Sequence, residues 1–220
     1  MKSIPTQLSL LALVVSNASG QLATYEFTGA STGNNQFNDV TLQPDHGVFG
    51  SFQRVNVDWA SGANVFNSKS WNTGLSLDPS EYVGFTITAD AGFSLDLSQV
   101  SFGSSRSSSG PLNGQVSLFL ENSATPAESV SFSSGTTLGT TTFDFSDVTG
   151  ASQAEFRFYG FGGSSALGTL RLDDVAVSGS ITPVPEPEEY SLVAGVMMVI
   201  YATARQWKKN AALRNRSVTA

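Results

Sequence analysis

The sequence predicts an all-β protein: an antiparallel β-sandwich of jelly-roll type, flanked by an N-terminal signal-peptide helix and a C-terminal transmembrane helix. Three observations lead there. Apolar and polar residues alternate at period two along most of the middle of the chain, Gly/Ser/Asn clusters punctuate those runs, and each end is an apolar segment of a different character.

The chain of 220 residues divides accordingly into five expected parts. These are a signal peptide (1–20), a sandwich (21–181), a Pro-rich spacer (182–189), a transmembrane helix with its basic cluster (190–209) and a cytoplasmic tail (210–220). The central part is one domain's worth of sequence. At roughly 160 residues it can bury near 70% of the surface its unfolded chain exposes, so a core forms without covalent staples. None are available, because the chain has no cysteine. That absence excludes a disulfide framework, thiol nucleophiles and thiolate metal sites.

At the N-terminus, Lys2 precedes an apolar run around Leu8, Leu10, Leu11, Ala12, Leu13, Val14 and Val15, then the small residues Ala18, Ser19 and Gly20. A basic start, a short apolar stretch and small residues at alternate positions are what a signal peptidase cuts. Cleavage is expected after Gly20, with Ala18 filling the second small-residue position.

The expected strands follow. Alternation recurs in Ala23-Tyr25-Phe27, Val55-Val57-Trp59, Phe85-Ile87-Ala89, Phe93-Leu95-Leu97, Val116-Leu118-Leu120, Phe143-Phe145, Phe156-Phe158 and Leu170-Leu172. Each run has one dry and one wet face. The intervening clusters, Gly29 to Asn35, Ser61 to Asn64, Gly103 to Gly114, Ser133 to Gly139 and Gly160 to Ser165, read as turns. After Leu172 the alternation slips across Asp173-Asp174 and resumes at Val175 and Val177, which predicts a bulge. No fixed-period repeat is present, which argues against a propeller or solenoid.

Beyond the domain, Pro183, Pro185 and Pro187 favour an extended, stiff spacer. From Tyr190 to Ala204 the chain carries no charge and is rich in Leu, Val, Met and Ile, with Glu188 and Glu189 at its start and Arg205, Lys208 and Lys209 closing it. Such a helix spans about 22 Å, short of the ~30 Å hydrocarbon core, and snorkelling of Arg205 with interfacial Tyr190 and Trp207 extends its reach. The basic tail is expected to stay in the cytoplasm and the domain to lie outside.

The run Val184-Pro185-Glu186-Pro187, the short apolar helix and the terminal basic cluster together resemble the PEP-CTERM sorting signal of bacteria that make exopolysaccharide. The resemblance covers about thirty-five residues and is specific because three features occur in one order. It implies that Pro185, Glu186 and Pro187 are recognised by exosortase, a membrane-embedded processing enzyme, with Arg205, Lys208 and Lys209 as the anchor's basic cluster. The stretch from Phe156 to Gly160 through Leu170 to Val177 likewise resembles the last strand pair of jelly-roll domains that precede this tag. What these likenesses imply is export, transient anchoring in the cytoplasmic membrane, and release to the cell surface or extracellular matrix.

Charge narrows the partners. The net charge of −7 conceals a split: Gln21 to Val184 carries fifteen acidic against five basic residues, or −10, whereas Arg205 to Ala220 carries five basic residues and no acid. So acidic a domain repels phosphate backbones, which excludes nucleic acid and leaves polysaccharide, cations or proteins.

Recognisable catalytic groups are few, so no catalytic residue is assigned. His46, the one histidine, sits in the turn-like Gln43-Pro44-Asp45-His46-Gly47, without a nucleophile elbow anywhere in the chain. A pair of carboxylates for glycoside hydrolysis is conceivable but its separation is not readable. Asp173 with Asp174, or Asp144 with Asp147, supplies hard oxygens for a calcium ion; the plainer reading is a solvated turn or a bulge guarding an edge. No other cofactor is expected. For sugar stacking, Trp71 in the unpatterned Lys69-Ser70-Trp71-Asn72-Thr73 is the leading candidate, followed by Trp59 and Tyr82; core packing is the competing role for all three. The expected function is a non-catalytic exported envelope or matrix protein, processed by signal peptidase and exosortase and associated with exopolysaccharide. The alternative is a carbohydrate-binding module, and behind it a glycoside-active enzyme.

Overall fold

The computed structural model describes residues 20–28, 37–185 and 195–208. The signal segment with Ala18, the loop expected over Gly29 to Asn35, the sorting residues Glu186 and Pro187, and Lys209 lie outside the described residues.

The strands in chain order are β1 (Gly20–Tyr25), β2 (Phe37–Asn38), β3 (Gly47–Phe49), β4 (Phe52–Val55), β5 (Asp58–Trp59), β6 (Phe66–Lys69), β7 (Tyr82–Ala89), β8 (Phe93–Arg106), β9 (Asn113–Leu120), β10 (Glu128–Ser133), β11 (Gly139–Ala151), β12 (Gln153–Phe161) and β13 (Leu170–Pro183). They form two antiparallel sheets. The six-stranded sheet runs β11-β8-β13-β6-β5 with β1 added to β13; the seven-stranded sheet runs β10-β9-β12-β7-β4-β2 with β3 added to β7. From β7 onward the chain changes sheet at every connection except the β9–β10 hairpin, so consecutive long strands face one another across the core. The turn from β7 to β8 shows how: Phe93 N–H donates to the Asp90 carbonyl at 3.0 Å, and Gly92 supplies the φ of 85° that an L side chain resists.

The alternating positions become the core because both sheets bury one face against the other. Ala23, Tyr25 and Phe27 are fully buried, as are Ile87, Leu95, Leu118, Phe156 and Phe158. Phe52 sits at the centre, with ring centroids 5.4 Å from Tyr25, 5.1 Å from Phe27, 4.9 Å from Phe66 and 5.7 Å from Phe158. Each such ring contributes about 1.5–3 kcal/mol through burial.

The expected bulge is present, and its cause is tertiary. β13 pairs along one side with β8, while its other side is shared: β6 takes Leu170 to Leu172 and β1 takes Val175 to Gly179. Asp173 and Asp174 fall where one partner strand hands over to the other. There the β8 register shifts, Asp174 adopts φ 44°, and its N–H is met by Asp173 Oδ1 at 3.0 Å.

Several expectations are corrected. Val55, Val57 and Trp59 do not form one strand, because Asn56 at φ 54° breaks the run and sends Asp58–Trp59 to the other sheet. The inward pair of β4 is instead Phe52 and Arg54. Arg54 reaches between the sheets to donate to Ser68 Oγ at 2.9 Å and the Asn67 carbonyl at 3.0 Å, with its guanidinium 3.6 Å over the Phe66 ring. Burial lowers its pKa to about 10, so it remains charged at neutral pH. The turn placed at Gly103 begins later, since β8 continues through Arg106 against β11 and β13. The sandwich also extends past residue 181: Thr182 and Pro183 still pair with Ser94 and Phe93, and Val184 N–H donates to the Gly92 carbonyl at 2.8 Å.

Of the expected flanking helices, the structure describes one, over residues 195–208. Its side chains are exposed, and at 1.5 Å per residue it measures about 21 Å. Among the described residues no helix is long and apolar enough to cross a membrane.

Candidate functional site

The residues out of phase with the core positions of the seven-stranded sheet form its outer face. Strand register aligns them in transverse rows. Gln53, Gly84, Arg157, Ser117 and Ser129 are successive partners across β4, β7, β12, β9 and β10. One row toward the start of β12, Thr86, Glu155 and Phe119 are aligned, and on the opposite side Tyr159, Gln115 and Ser131. Tyr82 lies beside Tyr159, with ring centroids 5.8 Å apart.

Gly84 leaves the middle of this face without a side chain, and a Cβ built there would collide with the Phe156 carbonyl. Arg157 lies beside that gap. Its guanidinium carbon stands 4.7 Å over the Tyr82 ring and 4.1 Å over the Phe119 ring, so one cation is held between aromatics from the two neighbouring strands. Arg157 also donates to Glu155 Oε2 at 2.6 Å, and the Tyr82 hydroxyl donates to Glu155 Oε1 at 3.2 Å. The Glu155 contact, despite the opposing effect of burial, raises the Arg157 pKa, so the guanidinium is permanently charged. Burial raises the pKa of Tyr82 and Tyr159, keeping both phenols neutral at ordinary pH.

A loop bounds one end of the face. Asn72 bridges to Phe161, Gly162 N–H donates to the Gly74 carbonyl at 2.8 Å, and Asn72 holds its own turn through Gly74 N–H and the Ser76 carbonyl. Trp71 pegs this loop into the core. It is 3% exposed and its Nε1–H donates to the Ser68 carbonyl at 2.8 Å. The expectation of an exposed, sugar-stacking Trp71 is therefore corrected: the unpatterned segment places its indole inside because the core is completed by a loop here rather than a strand. Trp59 is half-buried on the short strand β5 of the other sheet, away from Tyr82. Only Tyr82 of the three lies on the outer face just described.

The other sequence candidates fall elsewhere. His46, at φ 62° in an exposed loop, stacks on Phe93 with centroids 4.0 Å apart. Asp144 accepts from Gln99 Nε2 at 2.6 Å, and the side chain of Asp147 lies outside the described residues. Burial and the adjacent Asp174 raise the pKa of Asp173. Among the described residues no group of three or more His, Asp or Glu is gathered to hold a metal. Arg157, Glu155, Tyr159, Phe119 and Gln115 were not singled out from sequence. The signal was there: Glu155-Phe156-Arg157-Phe158-Tyr159 puts an ion pair and a tyrosine in the outward phase.

No family model matches the chain, and no curated protein matches it. Among solved structures it is similar to one described as "CBM4 structure and function", with a TM-score of 0.42, 18% identity, 60% of this chain covered and 88% of that one. It is also similar to CBM29_1, a family 29 carbohydrate binding module from Piromyces equi, with a TM-score of 0.43, 13% identity, 74% of this chain and 93% of that one.

Proposed function

We propose that the sandwich is a non-catalytic carbohydrate-binding domain whose ligand lies on the outer face of the seven-stranded sheet. The observation that carries this reading is the half-buried pair of Tyr82 and Arg157, backed from below by the buried Tyr159 and Phe119: planar groups on neighbouring strands, bordered by amide and hydroxyl side chains and walled at one end by the Trp71 loop. The flat ring of Tyr82 matches the aliphatic face of a sugar, and Gln53, Gln115 and Ser129, which are exposed or half-buried, match its hydroxyls. The one carboxylate in the constellation, Glu155, is occupied by Arg157 and Tyr82, which suits positioning rather than acid–base work. The sheet-switching order of the strands fits a jelly-roll connection. Affinity electrophoresis through polysaccharide gels tests the site: Tyr82→Ala is expected to abolish retardation while the protein stays folded. Unchanged retardation in that variant overturns the assignment.

The same reading places the domain outside the cell, carried by the PEP-CTERM-like end and delivered to surface or matrix polymer. Its support is topological. β1 lies antiparallel to the end of β13, with Gly20 opposite Gly179, so the expected signal-peptide cut and the Pro185 motif flank one edge of the sandwich. Residues 195–208 expose Val196, Met198, Ile200 and Trp207 beside Arg205 and Lys208, an apolar surface that calls for cover in a bilayer or a processing enzyme. Expression in hosts with and without exosortase, read by mass spectrometry of both termini, tests the sorting reading; a tail kept equally in both hosts defeats it.

A further inference from the structure

The side chains on the outer face also specify which class of glycan it takes, a deduction that rests on the binding site proposed above. We infer that this face selects an uncharged polysaccharide, and that Glu155 enforces the selection by closing on Arg157.

The strands of the seven-stranded sheet contain two cationic side chains, and Arg54 is turned into the core. That leaves Arg157 as the cation of the outer face among the described residues. An arginine on a sugar-binding surface would ordinarily favour uronate or sulfate groups, because its planar fork pairs with anions. Here little of that capacity faces a ligand: Glu155 takes the NH2 group at 2.6 Å, Tyr82 and Phe119 flank the guanidinium, and the Nε donor, though unpartnered, is buried. Arg157 and Glu155 are each about a quarter exposed, at 24% and 23%, so a ligand meets a neutral pair rather than a free cation. Around the pair stand Gln53, Thr86, Gln115, Ser129 and Ser131, exposed or half-buried and all uncharged.

The surrounding field acts in the same sense. The fifteen acidic and five basic residues between Gln21 and Val184 repel a polyanion at distances within the ~8 Å screening length of physiological salt. The rows cross five strands, β4, β7, β12, β9 and β10, and four intervals of about 4.8 Å make a track of roughly 19 Å. That length suits several linked sugars more than a single one.

The experiment compares retardation by neutral polymers (β-glucan, mannan, xylan) with retardation by polyuronates (alginate, polygalacturonate) for the wild type and Glu155→Gln. The isosteric amide keeps an acceptor for Tyr82 and removes the charge that neutralises Arg157. Wild-type protein is expected to bind a neutral polymer and not the polyuronates. Glu155→Gln should raise polyuronate affinity about two- to fivefold, an increment set by one exposed ion pair and erased by high salt. Should Glu155→Gln unfold, Ser129→Lys adds a cation to the exposed rim at the cost of the Ser117 contact alone, leaving the Glu155–Arg157 pair in place, and must shift binding the same way. Preference of the wild type for polyuronate overturns the selectivity while leaving the binding site standing. Binding to neither class overturns the site itself and the selectivity with it.

Discussion

Replacing Trp71 by alanine separates a core tryptophan from a ligand platform. The indole is 3% exposed, belongs to the main apolar cluster, and donates to the Ser68 carbonyl at 2.8 Å. Removing a buried aromatic costs about 3–5 kcal/mol. Leaving the Ser68 carbonyl without its donor adds about 1 kcal/mol. A loss of about 4–6 kcal/mol is a large part of the ~5–15 kcal/mol that holds a domain together. At roughly 2–4 °C per kcal/mol for a domain of this size, Trp71→Ala should melt about 10–20 °C below the wild type. Trp71→Phe keeps most of the packing and forfeits the N–H donor, so its loss should be about 1–2 kcal/mol. Urea and thermal unfolding followed by near-ultraviolet circular dichroism measure both. The reasoning fails if Trp71→Ala melts within about 2 °C of the wild type while losing polysaccharide binding, since that pattern belongs to an exposed stacking residue.

Further outcomes follow from particular contacts. Tyr25 is fully buried, its hydroxyl donates to the Gly50 carbonyl at 2.6 Å, and burial raises its pKa far above 10. Its contribution is complete below the unfolded phenol pKa of about 10 and declines as pH rises beyond it, because only the unfolded chain then releases the proton. Stability should fall between about pH 10 and 12 in urea titrations, and Tyr25→Phe should flatten that fall; an unchanged slope excludes Tyr25 as the cause. At the β13 bulge, Asp174 holds φ 44°, so Asp174→Val should destabilise by about 1–2 kcal/mol while Asp174→Gly is neutral or stabilising. Equal unfolding midpoints for the two variants would show that the backbone there relaxes freely. Glu121 accepts from the Ser152 amide and hydroxyl, and those hydrogen bonds lower its pKa. This tie is complete above the unfolded carboxyl pKa and is lost as pH falls through the lower folded value, so Ser152 amide exchange should be faster in Glu121→Ala at neutral pH than in the wild type. Indistinguishable protection in the two proteins counts against the tie.

The alternating runs at Ala23-Tyr25-Phe27, Phe156-Phe158 and Leu170-Leu172 were readable because a strand buried on one face writes its burial at period two. The break at Asp173-Asp174 was readable for the same reason, as a slip of phase. Arg54 hid β4, since an arginine in the inward phase looks like a solvent position; it is tolerated because Ser68, Asn67 and the Phe66 face receive it from the opposite sheet. Trp71 misled in the other direction, because a loop that plugs a core carries no period.

Local sequence thus determined which segments extend, which face of each is dry, and the acidic character of the domain, all properties of neighbours along the chain. Tertiary structure alone decided that Gln53, Gly84, Arg157, Ser117 and Ser129 share one row and that Tyr82 and Phe119 enclose one guanidinium. Strand order and register bring those residues together from positions 53 to 157, and no local propensity encodes register between strands so far apart.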